Sequence, residues 1–565
     1  MSYRAPLDAF RRSMAVIGAE RLAHTPRFAE ATPETVEAVL GEAGRIAADI
    51  LAPLQRPGDL HPARLENGVV RSAPGYAEGY AAIAEGGWVG ICADAANGGM
   101  DLPQTLGSAV GEMFASACLS LSLCPLLSQG QIEALEHHAP DWVRENWLPK
   151  LVSGEWTGTM NLTEPQAGSD VGALRSKAEP VGDGSFKVSG QKIYISWGDH
   201  DLAGNVLHLV LARLPDAPKG TRGVSLFIVP KLIDTGDGPG KPNSLRVVSL
   251  EHKLGLHGSP TCVMEFDGAT GWLVGPEHGG MACMFTMMNN ARLGVGVQGV
   301  GIAEAACQKA LAFALDRKQG RTPTGDGRGP IADHADVRRM LMRMQTLTAV
   351  ARMICLDCAF SLDMARAAPE EERGRWADRA AFLTPIAKAF GTDAGCEVAD
   401  LGIQIHGGMG FVEETGAAQF LRDVRVTTIY EGTNGIQALD LVGRKLADGG
   451  AAAQALIDEM AEAGVSDATL APLREATGWM LGADPQDRAA GATAYLDAFA
   501  LALGARYLDR SAALVPGDLR ATALAAYHRE RHLPRIAGLC AEACAGAGTL
   551  YALAPEALAA DAAAS

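Results

Sequence analysis

Apolar spacing changes period twice along this chain, and that order limits the fold more than any other feature. From Thr32-Pro33-Glu34-Thr35 to about residue 152, apolar residues recur at helical intervals, as in Val36, Val39, Leu40 and Ile46. Thr32 reads as an N-cap with Pro33 at the first helical position, and Pro53, Pro57 and Gly58 read as that helix's end. Further breaks are expected at Asn97-Gly98-Gly99 and Pro125. From Trp156, short β-branched and aromatic runs alternate with glycine turns. Gly182-Asp183-Gly184 precedes Phe186-Lys187-Val188, and Ser189-Gly190 precedes Lys192-Ile193-Tyr194-Ile195. Runs at 206–213, 223–230, 245–250 and 262–266 continue the series, which predicts a sandwich or barrel. Helical spacing returns near 279, through 281–315, 336–367 and 376–400, as a bundle. It persists beyond Gly449-Gly450 in an Ala-rich stretch that ends in a low-complexity tail at 559–565.

The expected class is α+β in five segments. They are an N-terminal extension at 1–35, an α domain at 36–158, a β domain at 159–275, an α bundle at 276–446 and a further helical domain at 447–565. Residues 1–35, with Pro6 and Pro26, are expected to be polar and irregular, and 231–243 to form an exposed loop.

A net charge of −17 argues against nucleic acid or an anionic membrane as a partner. The 11 cysteines are scattered and suit a reducing compartment. No signal peptide is read, and the apolar segment after Arg292 is broken by Glu304, so a cytoplasmic protein without a membrane span is expected. Cys355-Leu356-Asp357-Cys358 has no second pair to complete a zinc site, and no metal site is expected. His137-His138 lacks a carboxylate or Cys partner and reads as surface. Gly294-Val295-Gly296-Val297-Gln298-Gly299 follows helical sequence instead of a strand, so it is a poor dinucleotide fingerprint.

One stretch carries chemistry. In Ile429-Tyr430-Glu431-Gly432-Thr433-Asn434-Gly435-Ile436-Gln437 a lone carboxylate precedes a polar glycine turn, and helical spacing then resumes. Thr433 or Asn434 suits an N-cap. The free N–H groups of a helix start favour a phosphate or a developing oxyanion. By itself Glu431 there reads first as a helix-capping acid, with a general base as the second reading.

This stretch resembles the catalytic-base segment of the flavin-dependent acyl-CoA dehydrogenases. Two more segments resemble that family in its order: Asn161-Leu162-Thr163-Glu164-Pro165-Gln166-Ala167-Gly168-Ser169-Asp170 and Gln404-Ile405-His406-Gly407-Gly408-Met409-Gly410. The resemblance covers roughly 35–446. It implies an N-terminal α domain, a middle β-barrel or sandwich and a C-terminal four-helix bundle, here with an added helical domain. It also implies an FAD enzyme that turns an acyl-CoA thioester into a trans-2-enoyl-CoA. Glu431 would remove the α-proton, and the β-hydrogen would leave as hydride to the flavin.

By the same resemblance, Leu162, Thr163, Gly168, Ser169, Tyr194, Ser196, Gly432 and Thr433 would meet FAD. Arg317, Gln404 and Gly408 would reach the FAD of a neighbouring subunit. Ser169 would reach the pyrophosphate or CoA, Asn289 would meet CoA through its amide, and Arg292 would sit near the thioester end of the CoA. Some relatives carry the base just before the family arginine; here that position is Ala291, which leaves Glu431. Many relatives have Asp where this chain has Asn289, and Tyr194-Ile195-Ser196 stands for the family's Trp-Ile-Thr. Length, the Tyr3-Arg4-Ala5-Pro6 start and the Ala-rich C-terminal region resemble the 3-methylmercaptopropionyl-CoA dehydrogenases of bacterial dimethylsulfoniopropionate breakdown. That group also contains general fatty acyl-CoA dehydrogenases. The resemblance implies a homodimer that passes electrons to electron-transferring flavoprotein. An acyl-CoA oxidase and a DNA-binding alkylation-response relative are the competing readings; the net charge disfavours the second.

Overall fold

The computed structural model describes residues 3–234, 240–323 and 326–558. Helices α1 (Leu7–Ile17), α2 (Pro33–Ile46), α3 (Gln55–Leu60) and α4 (Tyr76–Glu85) lead to the long α5 (Gln104–His138). A hairpin of β1 (Arg64–Glu66) and β2 (Val69–Arg71) lies between α3 and α4. Short α6 (Asp141–Asn146) and α7 (Leu148–Val152) follow. Thr32 caps α2 as its spacing predicts, its hydroxyl accepting from the Thr35 N–H at 3.3 Å.

Three expectations for this region are corrected. Residues 1–35 are not irregular: Pro6 precedes α1, Gly18 ends it at φ +78°, and Phe10 is fully buried. Leu22 and Phe28 form a small core with Phe360, Met364 and Trp376. Pro53, Pro57 and Gly58 do not end the second helical stretch: a π turn at Ala47–Leu51 and a 3₁₀ turn at Ala52–Leu54 carry the chain from α2 into α3, which contains Pro57 and Gly58. Pro125 does not break α5; the kink falls at Cys118, at φ −154° and ψ 88°.

By length and composition α5 could cross a membrane, yet 89% of its apolar window is buried inside the protein. Its free N-terminal donors are satisfied from far away in sequence. The Asp363 carboxylate accepts from the backbone N–H groups of Gln104 and Thr105 at 2.7 and 2.8 Å, and from the Thr105 hydroxyl at 2.6 Å. At the other end His138, expected on the surface, is half-buried and bonds the Thr286 hydroxyl at 2.8 Å.

The middle of the chain is a barrel. Its strands are β3 (Trp156–Asn161), β4 (Lys177–Pro180), β5 (Ser185–Ser196), β6 (Asn205–Arg213) and β7 (Val224–Pro230). A small hairpin of β8 (Leu232–Ile233) and β9 (Lys241–Pro242) replaces part of the loop expected at 231–243; positions 235–239 lie outside the described residues. β10 (Leu245–Leu250) and β11 (Thr261–Val274) complete it. β11 pairs with β5 and β7, β7 with β6, β6 with β4 and β4 with β5, so the ring closes. Val188, Ile195, Val210, Phe227, Val229, Met264 and Phe266 fill it.

The bundle is built from α8 (Gly280–Asp316), α9 (Ala335–Ala367) and α10 (Glu370–His406), then α11 (Gly408–Phe411), α12 (Ala417–Val424) and α13 (Asn434–Asp440). Beyond it come α14 (Ala451–Glu462), α15 (Asp467–Gly482), α16 (Pro485–Leu514), α17 (Leu519–Arg531) and α18 (Arg535–Ala543). These last helices share the bundle's core. Phe499 packs on Phe382 at 4.9 Å between ring centres, and the Tyr507 hydroxyl donates to Asp357 at 2.6 Å. The tail at 559–565 lies outside the described residues.

The glycine run on α8 serves helix contact. A methyl on Gly296 would lie 2.5 Å from the Ala387 carbonyl oxygen, and one on Gly299 2.3 Å from that of Gly391. Across the seam, methyls on Gly391 and Gly395 would each lie 2.7 Å from the carbonyl oxygens of Gly296 and Gly299. Backbone therefore touches backbone, and only hydrogen fits between. Gly299→Ala is expected to cost about 1–3 kcal/mol by overpacking and to lower the melting temperature. Gly374→Ala, on the exposed start of α10 with nothing within 4 Å, is expected to raise stability by about 1 kcal/mol. Parallel thermal melts check both; equal shifts would contradict a close-contact role for Gly299.

Candidate active site

The chain leaves α12 through a short 3₁₀ turn at Arg425–Thr428 and reaches α13 across Ile429-Tyr430-Glu431-Gly432-Thr433. Thr433 is the N-cap: its hydroxyl accepts from the Ile436 N–H at 3.3 Å. Glu431 at φ +56° and Gly432 at φ +84° are consecutive left-handed residues. For a glutamate that conformation is strained by about 1–3 kcal/mol. Neighbours hold it in place. The Gln437 side-chain amide donates to the Glu431 carbonyl at 3.1 Å, and the Tyr430 hydroxyl donates to Gln298 Oε1 at 2.5 Å.

Two cations face the half-buried Glu431 carboxyl. Burial pushes it up to about 7, while the charges of Arg292 on α8 and Lys388 on α10 pull it down. Arg292 is itself 5% exposed. It pairs with Asp440 at 3.3 Å, and burial lowers its pKa. Lys388 is fully buried, donates to Asn434 Oδ1 at 2.8 Å, and is brought down to about 8 by that burial. Asn434 in turn donates to the Thr392 hydroxyl at 3.0 Å. A carboxylate poised near 7 can take a proton at neutral pH and release it again.

A second group of residues gathers at one end of the barrel. The Ile193 N–H donates to the Thr163 carbonyl at 2.9 Å, which places the loop after Leu162 against β5. Tyr194 is 61% exposed at φ +61°, and Ser196 is half-buried. Gly168 and Ser169 are exposed, and a methyl on Gly168 would meet nothing within 4 Å.

Glu164 shapes this loop and was missed in the sequence. Its buried carboxylate accepts from the Arg175 N–H at 2.6 Å, the Ser176 N–H at 3.0 Å, the Ser176 hydroxyl at 2.6 Å and Lys192 Nζ at 2.8 Å. Burial raises its pKa, but Lys192 and these donors outweigh that and hold it down to about 2. Lys388 was missed too. Its signal was a single lysine inside the apolar run Ile386-Ala387-Lys388-Ala389-Phe390.

Arg317, Gln404 and Gly408 lie apart from both groups. Phe313 and His406 stack at 4.4 Å, which joins the C-terminal ends of α8 and α10. Arg317, Gln404 and Gly408 are exposed there, beside Phe411 at 89% exposure. Arg317 follows Arg292 by 25 residues on α8, which is about 37 Å of helix. Asn289 is exposed, and its neighbour Asn290 donates to Glu133 at 2.7 Å. Among the described residues no group of His, Cys, Asp and Glu is arranged to hold a metal. A cavity of about 50 Å³ lies between α5 and α8 and reaches Gln298. A larger one of about 540 Å³ lies among α1, α8, α9, α16 and α17 and is lined by none of the residues around Glu431.

Models of the N-terminal, middle and C-terminal domains of acyl-CoA dehydrogenase match residues 61–155, 159–269 and 278–447. The 3-methylmercaptopropionyl-CoA dehydrogenase of Ruegeria pomeroyi is 49% identical over 472 residues, 82% of this chain and 79% of that protein. The broad-specificity linear acyl-CoA dehydrogenase FadE5 of Mycobacterium tuberculosis is 33% identical over 504 residues, 85% of this chain and 82% of that one. The solved structure of Caenorhabditis elegans ACDH-11 in complex with C11-CoA shares the fold at TM-score 0.74 and 20% identity, covering 91% of this chain and 90% of that chain. With three domain models matched in order and near-half identity over most of its length, this chain belongs to the acyl-CoA dehydrogenase family of FAD-dependent oxidoreductases.

Proposed function

We propose that Glu431 is the base that removes the α-proton of a short acyl-CoA thioester. The observation that carries this reading is one half-buried carboxyl on a strained, anchored turn, with its pKa near 7 between two buried cations. An α-proton is weakly acidic until the thioester carbonyl is polarised, so a base near neutrality must work beside an electrophilic group. Arg292 and the N–H groups of the 431–433 turn would supply positive potential there. FAD, when bound, supplies the acceptor for the β-hydride. Leu162, Thr163, Gly168, Ser169, Tyr194 and Ser196 would hold it at the barrel end, with Gly432 and Thr433 opposite. The exposed Tyr194 ring and the open backbone at Gly168 fit such a flat cofactor. Ser169, Asn289 and Arg292 would meet the CoA arm.

We place the second FAD contact on a partner subunit. Arg317, Gln404 and Gly408 sit too far along α8 and α10 from Arg292 to share one flavin ring with it, and exposed Met409, Phe411 and Val412 adjoin them. An exposed apolar cluster beside glycines suits a subunit contact. The assembly is a homodimer with one FAD per chain. Electron-transferring flavoprotein is the acceptor. The relative from Ruegeria pomeroyi supports the 3-methylmercaptopropionyl thioester as substrate. A five-carbon acyl group is nearly isosteric with it, and one methylene changes selectivity by only about 10- to 200-fold.

Glu431→Gln should retain FAD and bind substrate, yet lose about 10³-fold or more in kcat; anaerobic bleaching of the bound flavin reads it directly. In the wild type, kcat/KM should rise with pH and level off above about 7, because only the ionised carboxylate takes the proton. Lys388→Met removes a charge that lowers the Glu431 pKa, so the break should move to higher pH. An unmoved break would take Glu431 out of that titration. Light scattering should give a dimer, and Arg317→Glu should lower FAD occupancy; a fully FAD-loaded monomer would contradict the shared site. Across straight-chain acyl-CoAs, kcat/KM should peak at about four to six carbons, since one methylene already matters; a maximum at twelve or more would reassign the substrate.

A further inference from the structure

The cavity between α5 and α8 is lined by residues on both sides of the kink in α5. Residues before Cys118, such as Phe114, and after it, such as Leu126, line opposite parts of it, and Trp88 and α8 close it. Most of the lining is apolar or small. Its polar groups are largely satisfied: Ser122 donates to the Leu119 carbonyl at 3.0 Å, and Gln129 donates to the Trp88 carbonyl at 3.1 Å.

Two donors are different. Trp88 Nε1 and Gln298 Nε2 have no hydrogen-bond partner, on side chains that are 5% and 3% exposed. Gln298 cannot swing freely to find one, because its Oε1 is taken by the Tyr430 hydroxyl, next to Glu431. Leaving a buried donor unpaired costs about 1–3 kcal/mol, so both have reason to be met by something that enters the cavity. Both are N–H groups, and no lining side chain offers a buried unpartnered acceptor. The complement is an acyl chain that carries an uncharged acceptor atom and no donor. Trp88 and Phe114 meet edge to face at 6.0 Å between centres, and aromatic walls also favour a soft, polarisable atom.

We propose that Trp88 and Gln298 are specificity-determining residues that select a thioether sulfur in the acyl chain over a methylene at the same place. This rests on the reading of the chain as a short acyl-CoA dehydrogenase and sharpens it. Sulfur accepts hydrogen bonds weakly, so each donor contributes a modest preference. Two of them, with the aromatic contact, should give about tenfold or more, since a site built to bond one group disfavours the analogue that leaves its donors unpaired.

The test is kcat/KM of the FAD-loaded enzyme with 3-methylmercaptopropionyl-CoA, 3-methoxypropionyl-CoA and pentanoyl-CoA. In the wild type both heteroatom chains should exceed pentanoyl-CoA. Trp88→Phe keeps the ring and removes the N–H, and Gln298→Met keeps length and removes both amide groups. Each should cut the ratio of thioether to pentanoyl several-fold, in kcat as well as KM, because the sulfur is bonded to the β-carbon that gives up the hydride; Gln298→Met also strips the Tyr430 hydroxyl of its acceptor and should lower kcat on all three chains alike. The double variant should bring the ratio to within about twofold of one. A packing defect alone would lower all three substrates together and leave the ratios intact. A wild-type ratio near one, or ratios unchanged in both variants, overturns the proposal while the dehydrogenase reading stands. Failure of every thioester to bleach the flavin would instead remove that reading, and the proposal with it.

Discussion

The contact on which the site depends is the crossing of α8 and α10 at backbone distance. Gly296 is one helical turn beyond Arg292. The atoms nearest to a methyl at Gly296 are the Ala387 carbonyl group and the Lys388 backbone nitrogen, at 2.5–3.2 Å. The closeness that demands glycine is therefore the closeness that brings Lys388 and Arg292 to one side of the 431 turn. A larger residue at 296 would separate the two helices and, with them, the two charges.

Those charges explain why the Glu431 carboxyl sits near neutrality. Burial alone would carry it higher, and two free cations beside it would carry it lower. Each cation is partly engaged elsewhere, Arg292 with Asp440 and Lys388 with Asn434. Asp440 is also held by Arg444 at 2.5 Å. Desolvation wins by a limited margin. The sign for stability is unfavourable. A carboxyl whose folded pKa is raised favours the folded state only at low pH, and that contribution is lost as pH rises from about 4.5 through 7. The strain at Glu431 adds to this cost, and the long helices around the turn offset both.

Much of this was legible in the sequence because it is local. The two changes of period separate helices, barrel and helices. Thr32 and Thr433 cap where their spacing places them. The glycine run is helical, as the absence of a preceding strand indicated. What was not legible depends on partners distant in sequence. Pro125 looked like a breaker, but a proline can sit in a helix packed on all sides, and the chain bends at Cys118 instead. Residues 1–35 looked irregular because they are polar and carry Pro6 and Pro26, but Pro6 only precedes α1. Arg12 pairs with Asp518 of α17, which no local window contains. Glu164 lay inside a segment quoted for its neighbours, and its weight comes from Lys192 and Ser176. Lys388 lay in a helix where a lone lysine is easily taken for a surface residue.

The helices after 446 bear on how the site is shared. They are joined to the bundle by buried charge as well as apolar packing: Arg379 bridges Asp357 and Glu459, both at 2.7 Å, and Tyr507 closes the same group from α16. Removing one member of such a network leaves an uncompensated buried charge, so this layer is not a detachable appendage. It covers one side of α9 and α10. The joined ends of α8 and α10, with exposed Arg317, Gln404 and Phe411, stay open. The shared cofactor site proposed above would use that end of the bundle, and this favours a two-fold pairing over a larger assembly built on the covered side.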